Sequence, residues 1–176
     1  MHKFFFVMSI LMVISLVIAF AWNSLPSVKG AVHSVLDPSA GKLLNWNTTW
    51  GMLIIVFILT IITTLLQKYT TDQETLRQLK KEQKEIQEEM KKFRDNPDKV
   101  MELQKSAFPA SMKIMELSMR STFYTIIPFI LLFRWFYDYF AEIPNFRFFG
   151  FFSWIWFYLL FAIIFSGFER KWFNVA

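Results

Sequence analysis

A chain of 176 residues that is 55% apolar, with 22 Phe and a formal net charge of +5, does not have the composition of an ordinary soluble domain. It has no cysteine, which excludes disulfides, thiolate chemistry and cysteine-held metals. The apolar residues fall in long runs with the charges in a block between them. The positive balance suits anionic lipid headgroups and does not by itself imply nucleic acid.

The first run, segment A, extends from Phe4 to Trp22, with Ser9 and Ser15 as its only polar residues. As a helix it is about 28 Å long, close to the hydrocarbon thickness of a bilayer. A cleaved leader is the alternative, but Ala19-Phe20-Ala21 is a poor small-x-small junction. Residues 23–48 read as a polar connection punctuated by Pro26, Gly30, Pro38 and Gly41, with room for short helices. Segment B runs from Trp50 to Leu66, with Asn47 or Thr48 placed to cap its start. Its helical period carries on past the apolar part.

Residues 72–120 form the charged block. Leu76, Leu79, Gln83, Ile86, Met90 and Phe93 are spaced 3-4-3-4-3. Val100, Leu103, Ala107, Ala110, Ile114 and Leu117 repeat that spacing. Between the stripes, Asn96 suits an N-cap and Pro97 a first helical position. The pattern predicts a cytoplasmic antiparallel coiled-coil hairpin, with Pro109 bending its returning arm. That arm carries a second apolar stripe, Phe108, Met112, Met115 and Met119. Methionine suits surfaces that take varied apolar partners, so these four are candidates for substrate capture, with plain packing as the alternative. Lys80, Lys81, Lys84, Lys91, Lys92 and Arg94 concentrate positive charge on the outgoing arm and turn. They are candidates for contact with ribosomal RNA phosphates, or equally a solvated helix surface.

Segment C runs from about Ser121 to Phe136, with Pro128 inside, and segment D from about Phe148 to Phe168. The stretch from Lys68 to Arg120 holds twelve Lys and Arg, whereas the connections 23–48 and 137–147 hold three between them. The positive-inside rule then gives a multi-pass protein with the charged block and both termini in the cytoplasm. Arg134 and Asp138, four residues apart, are expected to pair near the outer surface.

Polar residues also occur at membrane depth. Thr60, Thr63, Thr64 and Gln67 lie towards the cytoplasmic end of segment B, and Ser121, Thr122 and Thr125 at the same end of segment C. Unpaired polar groups are costly in hydrocarbon. Thr60, Thr63, Thr64, Gln67, Thr122 and Thr125 are therefore candidates to line a hydrophilic inner-leaflet groove, or else to hydrogen-bond helix carbonyls and one another. No catalytic, metal or cofactor motif is present, so neither an enzyme nor a cofactor is expected.

The run Thr63-Thr64-Leu65-Leu66-Gln67-Lys68-Tyr69, the stretch Pro109-Ala110-Ser111-Met112-Lys113 and the order of span, charged hairpin and two close spans resemble the archaeal DUF106 proteins. These are the YidC-like branch of the superfamily that holds the Oxa1, Alb3, Get1 and EMC3 membrane-protein insertases. The resemblance covers roughly residues 47–171. It implies an all-α polytopic fold: a YidC/Oxa1-like three-helix core (segments B, C and D) topped by a coiled coil, with segment A as an extra N-terminal helix. The expected divisions are 1–46, 47–71, 72–120 and 121–176. The implied function is non-enzymatic transfer of hydrophobic segments from cytoplasm to bilayer. The implied partners are nascent membrane proteins, the translating ribosome, anionic membrane lipids and additional insertase subunits, in a cell membrane of archaeal type. Bacterial members carry a groove Arg on the first core span, and segment B has no basic residue before Lys68. Two rivals stand beside this reading: an assembly subunit that binds a cytosolic partner through its coiled coil, and a small transporter. The second needs internal repeats that the chain lacks.

Overall fold

The computed structural model describes residues 2–175, and the side chains of all of these but 2–5, 120 and 121. The side chains of Lys3, Arg120 and Ser121, used above for sidedness and for the start of segment C, lie outside the described set. Among the described residues seven α-helices follow one another: α1 (His2–Phe20), α2 (Pro26–Leu36), α3 (Lys42–Trp46), α4 (Thr48–Thr70), α5 (Gln73–Lys92), α6 (Pro97–Ala141) and α7 (Trp154–Trp172). A single 3-10 turn (Trp22–Ser24) and a π-helical turn (Asp37–Gly41) join the first three.

The long helices start where side chains satisfy their free N–H groups. Asn47 accepts from the backbone N–H of Thr49 and Trp50, at 3.1 and 3.0 Å, and opens α4. Asp72 accepts from Thr75 and opens α5. Asn96 accepts from Lys99, and Pro97, which has no N–H to satisfy, begins α6. Among the described residues α4 is the one helix long and apolar enough to cross a membrane: 23 residues, about 34 Å at 1.5 Å per residue. Phe6–Phe20 is a shorter apolar helix.

The core gathers around α4. Met52, Ile55 and Val56 of α4 are buried with Leu44 of α3, Leu132, Trp135, Phe136 and Phe140 of α6, and Phe157 and Tyr158 of α7. Large rings bridge α6 and α7: Phe133 meets Tyr158 edge-on with centroids 4.9 Å apart, and Phe140 stacks on Trp154. The α3–α4 corner is tight enough to require Gly51, because a Cβ there would collide with the Leu43 carbonyl.

Three features depart from the sequence expectation. First, the returning arm of the charged block and segment C are one continuous helix, with Pro109 and Pro128 inside it. Second, α7 starts at Trp154 rather than Phe148. Residues 148–152 turn back on themselves, with Phe148 and Phe152 exchanging both backbone hydrogen bonds and Gly150 at φ 84°. It also runs on to Trp172, past Phe168. Third, residues 23–48 are almost wholly helical and are fastened to the far end of α6. Trp22 Nε1 donates to Asp138 at 2.8 Å, Trp135 Nε1 to Asp37 at 2.7 Å, and Tyr139 to Asn45 at 2.7 Å. Lys29 Nζ lies 2.9 Å from Asp138. His33 stands between Asp37 and Asp138, one ring nitrogen 3.2 Å from each carboxylate. The expected Arg134–Asp138 pair does not form: Asp138 is occupied by these donors, and the Arg134 guanidinium lies over the rings of Trp22 and Tyr137.

Past the Thr70 end of α4, α5 and α6 pack against each other. Thr71 Oγ1 donates to the Leu117 carbonyl, and Gln83 Nε2 to Ser111 Oγ at 3.0 Å, so partners rise along α5 as they fall along α6. Leu76, Ala110 and Leu117 are buried, and Leu79, Gln83, Ile86, Met90, Val100, Leu103, Ala107 and Ile114 are half-buried. Phe93, at the turn, is exposed.

Candidate functional site

A polar row runs down one side of α4. Thr60, Thr64, Gln67 and Thr71 recur at steps of four, three and four, the repeat of a single helix face, and all four are buried. Three of them meet the last turns of α7. Glu169, 1% exposed, places its carboxylate between the two threonines: Oε1 lies 2.9 Å from Thr60 Oγ1 and Oε2 lies 3.3 Å from Thr64 Oγ1. The next residue, Arg170, donates to Gln67 Oε1 at 2.9 Å. Gln73, from the first turn of α5, donates to the Gln67 carbonyl at 2.9 Å. Thr71 reaches across to the Leu117 carbonyl of α6. The node thus ties α4, α5, α6 and α7 together within about three turns of α4.

The partners of Glu169 are hydroxyls and not cations. Thr60 Oγ1 also lies 3.0 Å from the Val56 carbonyl and 2.9 Å from that of Phe57. A hydroxyl has one proton, so it serves Glu169 or its own helix, but not both fully. A carboxylate so enclosed keeps its place only through good hydrogen-bond geometry, because desolvation works against the charge. Within the apolar seam where Phe57 meets Phe165 edge-on, one turn of α7 before Glu169, this is the one buried acidic group among the described residues.

The six residues expected to line a groove are divided by the fold. Thr60, Thr64 and Gln67 face α7 and are satisfied there. Thr63 is half-buried and bonds to the Leu59 and Thr60 carbonyls of its own helix. Thr125 reaches the Thr122 carbonyl at 3.4 Å. Thr125 also lines a cavity of about 430 Å³ between α2, α4 and α6, whose other walls include Val32, Leu36, Leu59, Leu66, Phe129 and Leu132. Among the described residues only Tyr124 and Thr125 bring hydroxyls to it, so its described walls form an apolar slot. Thr122 is half-buried and does not line it.

On the α5–α6 arm, Phe108 and Met115 are exposed, and Met112 and Met119 are half-buried. Lys80, Lys81, Lys84, Lys91, Lys92 and Arg94 are all exposed; Lys81 and Lys84 sit 3.9 and 4.0 Å from Glu85 and Glu88 along the same helix. Lys80 differs from the rest. Partial burial, and then the nearby Arg170 guanidinium, lower its pKa below that of an ordinary lysine.

Glu169 was not among the residues expected to matter. A segment D that ends at about Phe168 leaves Glu169 outside the span. A signal for it does exist in the sequence: Glu169 is one turn after Phe165, so a helix that persists past Phe168 places it next to Phe165 on the same side.

Residues 33–152, more than half of the chain, match the family described as integral membrane protein EMC3/TMCO1-like. No curated protein and no solved structure matches the chain.

Proposed function

This chain belongs to the EMC3/TMCO1-like family of integral membrane proteins, and from that footing we propose that it is a membrane-protein insertase or chaperone of the archaeal YidC-like type. It moves hydrophobic segments of nascent membrane proteins from cytoplasm to bilayer without covalent chemistry. The observation that carries this reading is the polar row of α4, which brings Thr60, Thr64 and Gln67 together with Glu169 and Arg170 inside an otherwise apolar helix seam. Polar groups at that depth lower the cost of a hydrophilic flank passing through the inner leaflet. The apolar slot beside Thr125 offers the hydrophobic part of the same client a lipid-like wall.

In this reading α4, the apolar part of α6 and α7 are the three core spans, α1 is an added one, and the α5–α6 coiled coil projects into the cytoplasm. Phe108, Met112, Met115 and Met119 meet the client first. Lys80, Lys81, Lys84, Lys91, Lys92 and Arg94 face the ribosome, and further insertase subunits complete the assembly. In the conformation described, the polar row is closed against α7, so transfer through it requires the α4–α7 seam to part. That closure also favours a second reading, an assembly subunit whose polar residues are helix-to-helix contacts and whose arm binds a cytosolic partner.

Site-specific crosslinking to a stalled nascent membrane protein separates the two. An insertase gives crosslinks from positions 60, 63, 67 and 122, and from Met112 and Met115. The Thr63→Leu/Gln67→Leu double variant then lowers their yield several-fold while the helical fold persists. Single cysteines at 60, 63, 67 and 122 that are all shielded from aqueous reagents, together with insertion unchanged by the double variant, establish the assembly subunit instead.

A further inference from the structure

Where α4 ends, α5 begins and α7 ends, three cations gather, two of them bonded to neutral partners. Arg170 gives its hydrogen bond to the Gln67 carboxamide. Arg77 donates to Asn174, whose Oδ1 is 2.7 Å away and whose carbonyl takes a second bond from the same nitrogen. Lys80, grouped above with the ribosome-facing residues, lies three residues beyond Arg77 on the same face of α5 and within electrostatic reach of Arg170, and so belongs to this junction instead. Among the described residues no carboxylate oxygen stands within 4.0 Å of any of the three. The acidic group next in sequence, Glu169, is turned inward to Thr60 and Thr64. Four lysines of the arm have glutamates: Lys81 with Glu85, Lys84 with Glu88, Lys99 with Glu102 and Lys113 with Glu116. At the junction, like charges gather and hydrogen bonds orient two of them, Arg77 and Arg170, without neutralising them.

The level of the cluster identifies what neutralises it. Tyr69 at the end of α4, and Phe168 and Trp172 at the end of α7, are exposed around it. Exposed aromatic rings at the end of a spanning helix mark the headgroup layer. The turn of the arm, with Lys91, Lys92 and Arg94, stands about 20 Å further along α5. We propose that Arg77, Lys80 and Arg170 form a binding site for the phosphate of an anionic phospholipid in the leaflet that meets the Thr70 end of α4. Two guanidinium groups already fixed by Asn174 and Gln67 offer planar donors that match phosphate oxygens, and a lysine completes the charge. The site requires only that α4 crosses the membrane and that α7 ends beside it. It is independent of any insertion activity.

Native mass spectrometry of the full-length chain, released from mixed vesicles of phosphatidylglycerol and phosphatidylcholine, tests the site. Phosphatidylglycerol stays bound in preference to phosphatidylcholine, and the Lys80→Gln/Arg170→Gln variant loses that preference by on the order of tenfold or more, as expected for two cations at a membrane surface. Arg170→Lys, which keeps the charge, retains most of it, and so does Lys91→Gln/Lys92→Gln. Arg77→Gln, at the exposed edge of the cluster, lowers retention even if the double variant is poorly folded. Equal retention of the two lipids, or undiminished retention in Arg77→Gln and in the double variant, overturns the proposal. Full displacement of the lipid by inorganic phosphate at matched concentration does so too, since it assigns the site to a free anion.

Discussion

Two carboxylates at opposite ends of the helical core are held in contrasting ways. Asp138, partly open to solvent, takes Trp22, Lys29 and His33, two of them cationic or able to become so. Glu169, almost wholly enclosed, takes only Thr60 and Thr64, while the neighbouring Arg170 turns to a neutral amide. The first is a fastening: it ties the segment between α1 and α4 onto α6 with charge-assisted bonds where water lowers the desolvation cost. The second maintains a polar seam in surroundings where charge is expensive, and leaves nearby cations free for another anion. Burial alone would not tell these roles apart; the chemistry of the partners does.

The contrast is broken most sharply by neutralising each carboxylate while keeping its shape. Asp138→Asn strips the counter-charge from Lys29 and His33 and is expected to cost about 1.5–3 kcal/mol, the range for hydrogen bonds to charged groups. Thermal unfolding in detergent checks it, and a shift indistinguishable from wild type would dissolve the fastening.

Acid should weaken the same contact by a smaller amount. Burial raises the Asp138 pKa, but hydrogen bonds from Trp22, Lys29 and His33 outweigh that and hold it below the usual 3.8. A depressed folded pKa contributes stability that is complete above the unfolded value and is lost as pH falls through the lower folded one. Melting temperature should therefore show an Asp138-dependent fall only below about pH 4, absent in Asp138→Asn.

Least disruptive is Glu169→Gln. The amide oxygen still accepts from Thr60 or Thr64, and a desolvated charge disappears, so the net change is expected within about 1 kcal/mol of zero and of either sign. A loss as large as that of Asp138→Asn would mean that Glu169 has a cationic partner and that the contrast is false.

How much of this was readable without coordinates depends on the sequence distance between partners. Asn47, Asn96 and Pro97 announce α4 and α6 because a cap and the N–H groups it serves are two or three residues apart. The two apolar stripes of α5 and α6 are likewise local in their period. The fastening was invisible because its contacts join Trp22 to Asp138, His33 to Asp138 and Asp37 to Trp135, residues about a hundred positions apart. Residues 23–48 read as a polar connection with room for short helices, and the extent of those helices and what they pack on depend on tertiary contacts. The groove candidates Thr60, Thr63, Thr64, Gln67, Thr122 and Thr125 are recognisable in the sequence as polar residues interrupting apolar runs. Which neighbour they face depends on rotation about the helix axis, and for α4 that was settled by Glu169, a residue hidden in an apparent tail.

One helix, α6, begins at the turn of the arm and ends beside the Asp138 fastening. Its 45 residues make a rod about 68 Å long. One helix thus joins the charged arm to the end held by Trp22, Lys29 and His33. Pro109 and Pro128 each remove one backbone hydrogen bond from the rod, so they are the two places where it yields under load. A displacement of the arm that left both prolines unbent would reach past the polar seam, to the opposite end of the core.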